Sequence, residues 1–181
     1  KGGLALYAIH TNLDNMINGV NGKIADKIQL VNRKILQPRE GYLYKLVVYV
    51  PVAHLEEVQS ALFAAGAGEI GNYSECSFTM QGSGTFKAND GAKPFIGEIG
   101  IRHQESECRF EVILPYWLKS KALNAMQLAH PYEEVAYDLI PLANPNQTVG
   151  SGIIGTLPEV LSAEDFLQKL ADLFKIPCIC L

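Results

Sequence analysis

Lys45-Leu46-Val47-Val48-Tyr49-Val50-Pro51 decides how this chain folds. The run is dense in β-branched and aromatic residues, which suit the pleated, half-buried surface of a sheet. Residues 54–65 follow with Leu55, Val58, Leu62 and Ala65 at helical spacing, so one helix face is apolar. Gly66-Ala67-Gly68 then supplies the left-handed residues that commonly close a helix. Residues 73–80 read as a second strand, and Gly82-Ser83-Gly84 predicts a hairpin-like turn into Thr85-Phe86-Lys87. A loop containing glycine and proline covers residues 88–97. The order then recurs. Residues 107–114 alternate through Cys108, Phe110, Val112 and Leu114, residues 117–129 carry Leu118, Leu123 and Met126 at helical spacing, Pro131 breaks the helix, and residues 135–140 form a further strand. Strand, helix and strand, met twice, predict a ferredoxin-like split unit: an antiparallel sheet with two helices on one face.

The flanks have a different texture. The apolar run ending at Ile9 predicts a strand over residues 4–9, which enters a loop crowded with Asn12, Asp14, Asn15, Asn18, Gly19, Asn21 and Gly22. A short helix is expected over residues 22–30, with Ile24, Ile28 and Val31 on one face. Residues 34–41, with Pro38 and Gly41, read as a boundary. Beyond Pro141 and Pro145 lies a glycine-rich stretch around Gly150, Gly152 and Gly155. Ser162-Ala163-Glu164-Asp165 then resembles a capping box opening a helix through Phe166, Leu167, Leu170 and Phe174. The expected fold class is therefore mixed α+β and α/β. An outer domain made of residues 1–43 and 142–181 is interrupted by an inner domain of residues 44–141.

Bulk properties narrow the function classes. With 48% hydrophobic residues in 181, the chain can bury a substantial core, and only 19% charged residues argues against long disordered tracts. A net charge of −4 lacks the basic footprint of a nucleic-acid binder. No run approaches the ~18 apolar residues of a membrane span, and the opening Lys1-Gly2-Gly3 carries no leader pattern. Cys76, Cys108, Cys178 and Cys180 fit neither a zinc ribbon nor a disulfide framework, with Cys178 and Cys180 alternating in a strand-like end. A cytoplasmic, reducing setting is expected.

Few motifs carry chemistry. Gly150-Ser151-Gly152-Ile153-Ile154-Gly155 matches the dinucleotide fingerprint in letters only. No strand leads into it from Asn144 to Gln147, and Pro158 precedes any helix, so a glycine-rich edge strand is the better reading. His130-Pro131-Tyr132-Glu133-Glu134 spaces an imidazole four residues before a carboxylate, but Pro131 opposes a regular helix there; a turn with a solvated acidic pair is expected. His54 opens a helix and His103 stands in a charged loop, both as surface residues. There is no nucleophile elbow, Walker loop or His-Glu-x-x-His. From spacing alone, His10 and Asp14 are the candidates for metal binding or catalysis, with a plain polar turn as the alternative.

The wording of these segments goes further. Tyr7-Ala8-Ile9-His10-Thr11-Asn12-Leu13-Asp14-Asn15 with Gly19-Val20-Asn21, and Val149-Gly150-Ser151-Gly152-Ile153-Ile154-Gly155-Thr156-Leu157, resemble the Nif-three-like family, also labelled GTP cyclohydrolase I type 2 homologues. The resemblance implies toroidal hexamers with a dinuclear metal centre in each subunit, holding two zinc, iron or similar divalent ions. The segment from Gly66 to Phe78 and His130-Pro131-Tyr132-Glu133-Glu134-Val135-Ala136-Tyr137-Asp138 resemble an insert of longer bacterial members, similar to PII and CutA proteins, whose ferredoxin-like fold agrees with the split unit.

The family's metal-binding aspartate maps onto Asp14, and its motif histidine onto His10 beside the site. Its other ligands, an upstream His-His pair and a His-x-x-x-Glu near the carboxyl end, have no counterpart in place here. His130 and Glu134 belong to the insert's own motif. The chain therefore reads as a central fragment with an incomplete ligand set. The resemblance implies a metal-dependent hydrolase in full-length form, with a regulatory or assembly module as the alternative: small-ligand sensing or gating of a trimer-based hexamer without turnover. Self-association is the expected partnership, with no membrane and no nucleic acid.

Overall fold

The structure, a computed structural model, describes residue 3 and residues 5–177. The strand-like end that carries Cys178 and Cys180 lies outside the described residues. The chain divides into two compact units, Glu40–Asn144 and a second made of Lys1–Arg39 with Pro145–Leu181. In chain order the split unit begins with α1 (Val20–Lys27) and β1 (Val31–Arg39). The continuous unit holds β2 (Leu43–Pro51), α2 (Leu55–Ala64), β3 (Ser77–Lys87), β4 (Arg102–Pro115), α3 (Lys119–Ala129) and β5 (Tyr137–Leu142). The split unit then resumes with β6 (Asn146–Thr156) and α4 (Ala163–Phe174). Among the described residues no helix is long and apolar enough to cross a membrane.

The continuous unit is an antiparallel sheet in the order β3-β4-β2-β5. Two strand–helix–strand passes with this order make the ferredoxin-like arrangement that the sequence predicts. The two-residue period of a strand explains which face is apolar. Leu46, Val48 and Val50 on β2 stand beside Phe110, Val112 and Leu114 on β4, and all six are buried. Onto them pack Val58 and Leu62 of α2 and Ala122 and Met126 of α3, closing one core. The small Ala122 lets a helix approach the sheet closely. The opposite parity of β2 and β4 holds the buried Val47 and a charged cluster: the Glu111 carboxylate accepts from Lys45 Nζ at 2.8 Å and pairs with Arg109 at 2.9 Å. Lys45 holds the Glu111 carboxyl below its usual range against the opposing pull of burial. Helix α2 ends as its glycines predict. Gly66 takes φ +97°, its N–H bonds Phe63 O at 2.8 Å, and the Ala67 N–H reaches Leu62 O at 3.1 Å, a Schellman closure.

Four local expectations fail, each for a physical reason. Gly82-Ser83-Gly84 makes no turn: β3 runs through it, paired without a break to Glu107, Ser106 and Glu105. The glycine there serves close approach, since a Cβ on Gly84 would lie 2.0 Å from Glu107 Oε2. His103 is not in a loop but on β4, half-buried, within 3.0 Å of Glu105 and 5.3 Å from the Phe86 ring. The charged run around it is one solvated parity of a long strand. Residues 34–41 are not a boundary throughout: β1 extends to Arg39 with Pro38 opposite Gly150, and the units divide only at its end, between Arg39 and Glu40. In a two-stranded ribbon each strand has a free edge, so proline's missing N–H costs no ladder bond there. Lastly, residues 5–9 form no strand, and Leu6 and Tyr7 are 97% and 83% exposed. Apolar content marks a segment that gains by burial, yet a strand also needs a neighbour's backbone groups. Among the described residues none pairs with 5–9.

The split unit is a β1–β6 antiparallel ribbon with α1 beside β6 and a small core of Ala25, Ile35 and Val149. The glycine-rich strand is β6, as expected, and its glycines admit the partner strand: a Cβ on Gly150 would lie 2.2 Å from Gln37 O. The expected cap is present as well, with Ser162 Oγ accepting from the Asp165 N–H at 3.1 Å.

Candidate functional site

In the split unit, the segment from His10 to Gly19 is a chain of turns tied to β6. The Asp14 N–H bonds Thr11 O at 3.2 Å, and Asn15 Nδ2 donates to the same oxygen at 3.0 Å. The Ile17 N–H reaches Thr148 O at 3.0 Å, while the Gly150 N–H returns to Asn15 O at 2.8 Å. Asn21 Nδ2 closes the segment from the far side on Asp14 O at 2.8 Å. Gly19 has no room for a side chain, because its Cβ would stand 1.7 Å from Leu13 O. The asparagines and glycines of this motif therefore fix the backbone. His10 is exposed and Asp14 half-buried, and neither side chain takes a hydrogen bond or ion pair among the described residues.

Two such donors fit a share of a metal centre and no more. A pair of divalent ions needs several nitrogen and oxygen ligands at fixed positions. Among the described residues no three His, Cys, Asp or Glu side chains are grouped so that they could hold a metal ion. His130 is not available for the purpose: it is 6% exposed, its Nδ1 accepts the Tyr132 N–H at 3.1 Å, and so its Nε2 carries the proton given to Tyr49 O at 2.9 Å. Burial pushes its pKa down, only partly opposed by the bond to Tyr49. The imidazole is a neutral staple between a helix end and β2. The expected solvated turn is thus buried at its first residue.

The turn that follows lines a cavity of about 530 Å³ in the continuous unit. This volume falls within the range of small-molecule sites. Phe86, Phe95 and Tyr132 make its aromatic wall, with ring centroids 6.0 Å (Phe86–Tyr132) and 6.2 Å (Phe95–Tyr132) apart. His54 meets Phe95 edge-on at 5.6 Å, so it braces this wall rather than standing free at the surface. Asp90, Glu107, Glu133 and Glu134 face Lys87, leaving an acidic lining. The Lys93 N–H donates to Glu133 Oε1 at 2.7 Å and ties the loop after β3 to the turn after α3. Glu107 is 9% exposed. The Tyr132 hydroxyl is buried with no hydrogen bond of good geometry, although Glu107 is near enough to act on it. Burial first, and the Glu107 charge second, push the Tyr132 pKa well above its ordinary value.

Sequence reasoning did not find Glu107. The signal was Gly84, a glycine inside a strand, which marks a place where something else comes close. Read as a turn, it hid the buried carboxylate that occupies its missing side chain's space.

The comparisons with known proteins concern the whole chain. The protein from Halalkalibacterium halodurans named GTP cyclohydrolase 1 type 2 homolog is 46% identical over 178 residues, covering 98% of this chain and 48% of its own. The Bacillus subtilis protein of the same name is 44% identical over 173 residues, covering 95% and 46%. The chain thus spans about half the length of the curated relatives it matches. Among solved structures, a Bacillus cereus protein related to NIF3 superposes with a TM-score of 0.81 at 42% identity, over 94% of this chain and 45% of that one. The Staphylococcus aureus protein SA1388 shares the fold at a TM-score of 0.53 and 24% identity, over 95% and 43%. The profile of Duf34/NIF3 (NGG1p interacting factor 3) matches residues 1–181, and the chain belongs to this family.

Proposed function

We propose that residues 1–43 and 142–181 are parts of a metal-binding domain in a longer, divalent-metal-dependent hydrolase, to which this chain contributes Asp14 and His10. The observation that carries the reading is the tethered loop. Among the described residues its hydrogen bonds run through backbone and asparagine groups, while the Asp14 carboxylate and the His10 ring are left unengaged. Side chains held in place without a structural duty are what a ligand set requires. When bound, a pair of divalent ions would activate water or polarise a substrate oxygen, and the remaining donors come from outside the described residues. The relatives' name points to a purine nucleotide, yet no residue of this loop selects guanine.

In the full-length protein, Asp14→Asn should lower the bound metal per subunit at least tenfold at limiting metal with an unchanged circular dichroism spectrum, and His10→Gln should do less. Full metal content in the Asp14→Asn protein would refute the assignment. Hydrolysis of a nucleotide and phosphoester panel, with and without chelator, tests turnover.

A second reading concerns residues 44–141 and is favoured by the cavity: an inserted ligand-sensing or assembly module that acts through self-association. Deleting residues 44–141 from the full-length protein should leave metal content intact while changing subunit number or ligand response. Loss of metal on deletion would speak against a separate module.

A further inference from the structure

We propose that the cavity of the continuous unit binds a small organic cation, an ammonium or guanidinium carried on an apolar body, with Glu107 as its counter-charge. The inference rests on the reading of this unit as a ligand-binding module and names the chemistry it would recognise. Three independent features converge. The cavity, about 530 Å³, holds a molecule rather than a bare ion. Its wall is aromatic, and the faces of Phe86, Phe95 and Tyr132 attract a cation through their ring quadrupoles. Glu107 borders this space and is nine-tenths buried.

A buried carboxylate without a donor is costly unless something supplies one. The Tyr132 hydroxyl, near enough for Glu107 to act on it, is itself buried and unpartnered among the described residues, so a ligand N–H could serve Glu107 while its second acceptor site faces Tyr132. Asp90, Glu133 and Glu134 at the lining oppose an anion, so a nucleotide's phosphates would meet four carboxylates against Lys87 alone. A hard metal ion fits no better, because it asks for several oxygens at one point and the wall offers rings. Gly84 is built into the arrangement. Its missing side chain is what lets the Glu107 carboxylate lie where it does, 2.0 Å from the position a Cβ would occupy.

The test uses the whole chain and 2-phenylethylamine, with 2-phenylethanol as its neutral counterpart and ATP as the anionic competitor, followed by NMR titration. The amine should saturate with a Kd of about 1 mM or tighter, and the alcohol should bind at least about tenfold more weakly. Glu107→Gln should weaken the amine at least about tenfold. Gly84→Ala, which keeps the charge but displaces it, should weaken it similarly. Phe95→Ala, at the exposed rim, should cost about threefold while leaving the fold intact.

Equal binding of amine and alcohol, unchanged affinity in Glu107→Gln and Gly84→Ala, or no saturation up to about 10 mM would overturn the proposal. Displacement of the amine by ATP would overturn the cation class while leaving a ligand-binding module in place.

Discussion

The two units of this chain solve the burial problem differently. The continuous unit encloses a core from both helices and two central strands, with Phe110, Leu46, Leu62, Leu114 and Met126 fully buried. The split unit buries Ala25, Ile35 and Val149 and leaves Leu6, Tyr7, Ile9, Leu13, Leu36 and Ile154 in solvent. The continuous unit therefore has the makings of an independent folding unit, while the split unit draws its order from backbone bonds around a glycine-rich ribbon. The proposed functions divide along the same line. Unengaged donors sit on the open unit, and the cavity sits in the closed one.

The largest effect should fall on the closed core. Phe110→Ala removes a ring that meets Phe63 edge-on at 6.1 Å, and should cost about 3–5 kcal/mol in urea unfolding. If it cost no more than a surface change, the contrast between the units would be wrong. Next comes Gly19→Ala in the open unit. The new Cβ would have to displace the Leu13 carbonyl, for a loss of about 2 kcal/mol or more. That change should also disturb the His10–Asp14 loop selectively, seen as amide shifts confined to residues 10–21 and to β6.

A pH effect should separate the units further. Burial holds His130 below its ordinary value of 6.5. The unfolded chain takes up a proton as pH falls through that value, while the folded unit resists it, so unfolding is favoured by acid. The neutral staple thus stabilises fully above about pH 6.5, and its contribution is lost as pH drops towards the folded pKa. His130→Gln should flatten the slope of stability between about pH 7 and about pH 5.5. Glu105 and Glu111, held below 4.5 chiefly by hydrogen bonds from His103 and Lys45, add their own losses only at lower pH. The smallest effect belongs to Leu36→Ser on the open ribbon. Already exposed, it should change stability by no more than about 0.5 kcal/mol. A loss of several kcal/mol there would show that this face is covered within the chain itself.

What the sequence revealed follows the same contrast. Where a segment pairs and packs within its own unit, periodicity was enough. Cys108, Phe110, Val112 and Leu114 declare their strand face by alternation, Val58 and Leu62 declare their helix face, and the Schellman glycines declare the helix end. Where a residue's role depends on a partner distant in sequence, local pattern misled. Gly84 looked like a turn because the Glu107 carboxylate it accommodates lies 23 positions away. Residues 5–9 looked like a strand because apolar content does not say whether a neighbouring strand exists. The staple made by His130 was not legible because its acceptor, Tyr49 O, is 81 positions upstream. Asp14 and His10 stood out by spacing and by motif wording alike, and the structure adds the bonds that fix their backbone.

Metal content of the 181-residue chain itself tests the division of labour most directly. After loading with zinc and exhaustive dialysis, elemental analysis should find well below one tightly held ion per chain, because Asp14 and His10 alone cannot hold a pair of cations. About two ions per chain, lost on Asp14→Asn, would contradict this and place a complete centre within the chain.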